Sequence, residues 1–141
     1  MNSEQVALVQ RTFRAAEGLG EKVAEIFYEE LFAIDPSLRS MFSGDMREQH
    51  RKLLGALAMV VNGLNQPERV IPAAQKLAIK HLDYGVTARH YTIVGNALLR
   101  TLKKGLGDAF TPEVRAAWIA AYQVLADVMR AAAYPSQARS A

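Results

Sequence analysis

The sequence predicts an all-α domain, and three observations carry that prediction. Apolar residues recur at helical spacing along nearly the whole chain. No stretch alternates apolar and polar residues as a half-buried strand would. Breaks at Gly and Pro divide the chain into six or seven segments of unequal length.

Each element follows from its own pattern. Val6, Val9, Phe13 and Ala16 mark a first helix, with Ser3 as its expected N-cap, and "EGLG" ends it at residues 17–20. Val23, Ile26, Phe27, Leu31 and Ile34 mark a second. It stops at "DPS" because Pro36 disfavours helical geometry at Asp35. A short turn, "PSLRSMF", follows. "SGD" then starts a long third helix with Leu53, Leu54, Leu57, Val61 and Leu64 on one face. "NQPERVIPAAQKLAIKHL" predicts a shorter helix with its prolines near the beginning, where a missing N–H costs least. Thr87 is placed to cap the next helix, whose apolar face is Tyr91, Val94, Leu98 and Leu102, and "GLGDAF" ends it. Thr111 as N-cap and Pro112 at the first helical position start the last helix. Val114, Ala117, Trp118, Ala121, Leu125, Val128 and Met129 are its inner stripe. The tail "YPSQARSA" reads as frayed, which gives a single domain over 1–134 and a frayed end at 135–141. Helices of unequal length argue against a plain four-helix bundle. The punctuation suggests steep crossings, as in folds that enclose a cofactor.

Composition excludes several function classes. At 141 residues, half of them hydrophobic, the chain can build one sizeable core. A membrane span needs about 20 consecutive apolar residues, and apolar runs such as Ala56 to Val61 are far shorter. The start "MNSEQVALVQRTF" is polar and amphipathic, unlike a signal peptide, so a soluble cytoplasmic protein without a membrane association is expected. Zero cysteines exclude disulfides, thiolate metal sites and a thiol nucleophile. A bound transition metal would then take histidine. The charge of +3 is modest and its cations are scattered, unlike the clustered basic surface of a nucleic-acid binder. Glycine-rich phosphate loops, His-x-x-x-His pairs and serine elbows are all missing from the sequence.

His81 stands out by position. It lies four residues after Leu77 and three after Ala78, on the inward face of its helix, just before the break at Gly85. Taken alone, it reads most simply as a core histidine with a satisfied hydrogen bond. Two further residues open a second reading. Tyr28 lies four residues after Ala24 and four before Phe32. Gln49 lies four before Leu53, at the inward edge of an apolar stripe, with Phe42 in the loop between them. Two polar groups converging on an apolar cavity opposite an inward histidine suit an apolar, metal-bearing disc. The plainer alternatives stand beside it: a core tyrosine with its hydroxyl at the surface, a solvated glutamine at a helix start, and a phenylalanine that fills core.

At this point the sequence resembles a known family. "IFYEELFAIDPSLRSMF", "QHRKLLGAL", "KHLDYGVTARHYTIVGNALL" and "FTPEVRAAWIAAYQVLADVM" match, in register, a bacterial single-domain globin. The likeness is close to the haem domain of flavohaemoglobins and, in the C-terminal half, to neuroglobin. It runs from about Val6 to Met129. No one motif is specific, but the joint register is, with spacings of 14 from Tyr28 to Phe42, 32 from Gln49 to His81 and 10 from His81 to Tyr91. The resemblance implies a globin fold of six to eight helices enclosing haem b. It places the proximal iron ligand on His81 and the distal tyrosine and glutamine on Tyr28 and Gln49, where they would donate hydrogen bonds to dioxygen. Phe42 falls on the haem-stacking position, and Leu53, Val86 and Val94 complete apolar walls. Lys80 and Arg47 are candidates for the propionates by proximity. The other ring nitrogen of His81 needs an acceptor, and a carbonyl near Leu77 or Ala78 is expected to supply it.

The departures matter as much as the matches. Flavohaemoglobins pair a proximal tyrosine, here Tyr91, with a carboxylate late in the last helix. That position falls near Tyr134 and Pro135, where this chain has no acid. No flavin or nicotinamide domain follows within the sequence, so turnover is expected to need a separate reductase. His50 is turned about 100° from Gln49, which argues against it as distal residue or sixth iron ligand, and His90 is expected at the surface. Three functions result from the resemblance. The first is reversible binding of dioxygen, with nitric oxide and carbon monoxide as further ligands, by a monomer or weak homodimer. The second is nitric-oxide dioxygenase activity with an outside electron source. The third is a haem-free interaction module or gas sensor.

Overall fold

Six α-helices form where the apolar periodicity places them. The computed structural model describes residues 1–42 and 44–134, and of Asp83 the backbone alone. The helices are α1 (Ser3–Glu17), α2 (Glu21–Ile34), α3 (Met46–Asn62), α4 (Pro67–Asp83), α5 (Ala88–Leu106) and α6 (Pro112–Ala133). Short 3-10 turns over Pro36–Met41 and Gly107–Ala109 join α2 to α3 and α5 to α6, and the described residues contain no strand. No helix is long and apolar enough to cross a membrane.

The caps explain the boundaries, with two corrections. Asn2, not Ser3, caps α1. Its side chain accepts from the Gln5 N–H at 2.8 Å while the Gln5 side chain accepts from the Asn2 N–H, a reciprocal pair that Ser3 could not make with Gln5. Asp45 and Thr111 cap α3 and α6 as expected. Pro67 sits at the first position of α4, but Pro72 lies inside the helix rather than at its start. Its ring leaves the Glu68 carbonyl without its helical donor. At α5 the His90 ring takes part in the cap: Nδ1 accepts from the Thr87 N–H at 3.0 Å.

Packing is strongest between α2 and α5, between α4 and α6, and between α1 and α6, while α3 and α4 hardly touch. The larger core joins Val9, Phe13, Phe27, Tyr28, Leu31, Leu102 and Trp118. Burying each such side chain contributes about 1.5–3 kcal/mol. The indole N–H of Trp118 donates to the Thr12 hydroxyl at 2.9 Å, and that hydroxyl donates to the Leu8 carbonyl, so this buried polar chain is satisfied. A smaller core joins Ala74, Ala78, Tyr91, Ala126 and Met129. Tyr122 of α6 packs against both. At the α2–α5 contact, the buried Glu30 carboxylate is held by Lys104 and Arg100, which keep its pKa below the usual carboxylate range.

Gly95 shows how tightly α5 meets α6. A Cβ added there would lie 2.7 Å from the Tyr122 ring, and that ring is pinned by its hydroxyl, which donates to the Tyr91 carbonyl. Gly→Ala within a helix normally stabilises by about 1 kcal/mol, but overpacking costs about 1–3 kcal/mol. Gly95→Ala should therefore lower the midpoint of urea unfolding, and an increased midpoint would show that α5 and α6 can part without cost.

The end of α4 positions His81. Gly85 adopts φ +85°, a conformation that L side chains rarely take, and turns the chain back. The His81 carbonyl then accepts from Tyr84 at 3.1 Å and Val86 at 3.0 Å. The Tyr134 hydroxyl donates to the Val86 carbonyl and ties this turn to the end of α6. Tyr134 is thus docked, not frayed. The expected fraying of 135–141 lies outside the described residues.

Candidate functional site

On one side of the molecule, α2, α3 and the connection between them gather an aromatic cluster around Tyr28. Its ring meets Phe42 edge-on at 5.3 Å and Phe27 at 5.2 Å, and Phe32 lies 6.0 Å away. Leu53 and Val94 are half-buried against the same core. Burial pushes the Tyr28 phenol up to about 12, so it remains a protonated donor at neutral pH. The hydroxyl's hydrogen-bond contact among the described residues is long, 3.5 Å to the backbone carbonyl of Gln49. Gln49 itself is half-buried, and its side-chain amide has no protein partner among the described residues.

On the other side, the last turn of α4 presents His81. The ring is half-buried, and burial lowers its pKa, which favours neutral imidazole. Nδ1 is buried with no hydrogen-bond partner. The expected carbonyl near Leu77 or Ala78 does not reach it. Val86 and Tyr91 pack in the smaller core beside this helix end. The Tyr91 hydroxyl is also buried without a partner, and the Arg130 guanidinium lies 5.7 Å from the centre of its ring. Lys80 and Arg47 are both exposed, and Arg47 is already beside Asp45 at 3.7 Å.

The predicted residues therefore fall into two groups. Tyr28, Phe42, Leu53 and Val94 come together in one core, and Val86 and Tyr91 in the other. One open groove, lined in part by Tyr28 and His50, borders the first group, and another is lined by Gly20, Glu21, Asp45, Arg47, Arg51 and Leu54; neither is lined by His81. Sequence reasoning missed three residues. His50 is buried against α2 with its ring stacked on Tyr28. Tyr122 and Tyr134 tie α6 to Tyr91 and Val86. Tyr122 follows Ala121 of the inner stripe, a signal that could have found it; Tyr134, beyond the helix, offered none.

The comparisons with known proteins agree with this geometry. The sequence model for the globin family matches residues 25–129. The chain belongs to the globin family. This globin is 36% identical to a flavohemoprotein of Deinococcus radiodurans over 132 residues and 34% identical to one of Bordetella parapertussis over the same length. Both alignments cover 92% of this chain, which spans 33% of each flavohemoprotein. Among solved structures, a bacterial globin from Campylobacter jejuni superposes with a TM-score of 0.82 at 27% identity, covering 95% of this chain and 97% of that one. An engineered carbene transferase, whose Rhodothermus marinus parent carries the provisional name nitric oxide dioxygenase, gives 0.85 at 26%, covering 99% and 98%.

The residues fit the prosthetic group that these relatives imply. An imidazole at a helix end whose pKa burial lowers, two buried polar atoms without partners among the described residues, and the loose meeting of α3 and α4 suit a flat apolar group carrying a metal.

Proposed function

We propose that this globin holds haem b through His81 and reversibly binds dioxygen, in storage, delivery or scavenging. The observation that carries this reading is the His81 ring, half-buried, held neutral by burial and with no protein partner at its buried nitrogen. When bound, haem would supply an iron able to take a diatomic gas. The chain does the rest. His81 offers Nε2 as ligand. Phe42, Leu53, Val86 and Val94 exclude water. Tyr28 and the Gln49 amide offer hydrogen bonds to a polar ligand such as dioxygen, and carbon monoxide and nitric oxide fit the same space. Titrating the purified protein with haem and following the rise of a single set of absorption bands tests the first step. One equivalent bound at saturation is expected, and binding that never saturates would contradict it.

Nitric-oxide dioxygenation with a separate reductase is the second reading, supported by the flavohemoprotein relatives. The proximal side weighs against it. His81 Nδ1 and the Tyr91 hydroxyl lack partners, and Tyr134, placed close enough to raise the Tyr91 pKa together with burial, brings a phenol where a carboxylate would strengthen the histidine. Resonance Raman of the ferrous protein should therefore show an iron–histidine stretch in the ordinary globin range. A value raised to the peroxidase range would favour the dioxygenase. Rapid mixing of the oxygenated protein with nitric oxide, followed by re-reduction, measures the activity itself.

A further inference from the structure

Phe27, Phe32 and Phe42 pack around the Tyr28 ring with centres 5.2, 6.0 and 5.3 Å away, and a 3.5 Å contact to the Gln49 carbonyl is too long to fix its hydroxyl. His50 stacks on the same ring. The two rings lie 5.5 Å apart between centres and 27° from parallel. His50 is 8% exposed, and its Nδ1 is 3.2 Å from Oε1 of Glu21. A carboxylate oxygen accepts, so Nδ1–H is the donor in this contact. Glu21 is the first residue of α2, where the helix favours a negative charge. The contact thus runs from the first turn of α2 to the first turns of α3, and from there back onto the second turn of α2.

We propose that His50 is a positioning residue for Tyr28, anchored by Glu21, and that this pair sets how well the tyrosine hydroxyl meets a polar ligand. The proposal rests on the reading of Tyr28 as the distal donor. Removing His50 opens the phenol face to a groove lined by Glu25, Glu29, Arg39 and Met46, and the hydroxyl loses its fixed direction.

The experiment compares Tyr28→Phe, His50→Ala, His50→Phe and Glu21→Ala as haem-loaded proteins, with dioxygen and carbon monoxide release followed by stopped flow. His50→Ala should accelerate dioxygen release by roughly three- to tenfold, part of the full worth of the hydrogen bond, and leave carbon monoxide nearly unchanged. His50→Phe, which restores an aromatic face, should recover most of the loss. Glu21→Ala, at a half-exposed position that the fold tolerates, should act in the same direction and decides the matter if His50→Ala does not fold. A second readout is independent of gas kinetics. NMR of the carbonmonoxy protein should show cross-peaks between the His50 and Tyr28 ring protons, weakened in Glu21→Ala. Equal acceleration of both gases would mean general damage to the pocket and overturn the proposal. So would unchanged dioxygen release in His50→Ala, or in Glu21→Ala where that variant decides. If Tyr28→Phe itself leaves dioxygen release unchanged, the distal reading fails and takes the proposal with it. If Tyr28→Phe is fast and the folded His50→Ala is not, the proposal fails alone.

Discussion

His81→Ala should abolish stable haem binding. The chain has three histidines and no cysteine, and the other two histidines are engaged elsewhere. His50 is committed to Glu21 and Tyr28, and His90 accepts from the Thr87 N–H at the start of α5. The sequence of α4 holds no second histidine. Losing a mere hydrogen-bond partner behind a metal ligand typically costs about 10–100-fold in affinity, so losing the ligand itself should cost more than about a hundredfold. The fold should survive, because the half-buried ring gives up no protein hydrogen bond through its buried nitrogen. Haem content after gel filtration, read beside far-ultraviolet circular dichroism, checks both halves. A folded variant that kept one equivalent of haem with an unchanged ferrous spectrum would remove His81 from its proposed role.

The second large effect is expected at Tyr28. A phenol is protonated at neutral pH, and burial, which raises its pKa to about 12, holds it further from ionisation; its contact with the Gln49 carbonyl is long enough to give up when a better acceptor arrives. A hydrogen bond to a charged acceptor contributes roughly 1.5–3 kcal/mol, and each 1.4 kcal/mol is about tenfold. Tyr28→Phe should therefore accelerate dioxygen release by about ten- to a hundredfold. Carbon monoxide, the less polar ligand, should respond far less. Gln49→Leu should act in the same direction but more weakly, since a long amide side chain is less rigidly placed. Unchanged dioxygen release in Tyr28→Phe would mean that the hydroxyl faces away from the ligand.

Local order was legible in the sequence; tertiary contacts were legible only in part. Helix positions follow from apolar period and breaks, because a face that packs must repeat every three to four residues. The shift from Ser3 to Asn2 shows the grain of that reading. Both residues can cap, and only the pairing with Gln5 separates them. Pro72 was misplaced because the period continues through it, and tertiary packing of α4 on α6 tolerates the missing N–H. His50 was read as turned away from the pocket, which follows from helix rotation. The same rotation points it at α2, however, and which neighbour lies in that direction is not written in the period of α3. Tyr134 reaches the Val86 carbonyl across 48 residues of sequence, and no local pattern announces such a bond.

The central claim is that this globin takes haem on His81 and leaves the opposite face open to gas. The absorption spectrum of the ferrous protein, before and after oxygen, tests it most directly. A five-coordinate high-spin spectrum that converts on aeration to the two-banded oxygenated form, and reverts when oxygen is removed, is the expected result. A ferrous protein already six-coordinate without added gas, or one that oxidises at once without a lasting oxygenated form, would contradict it.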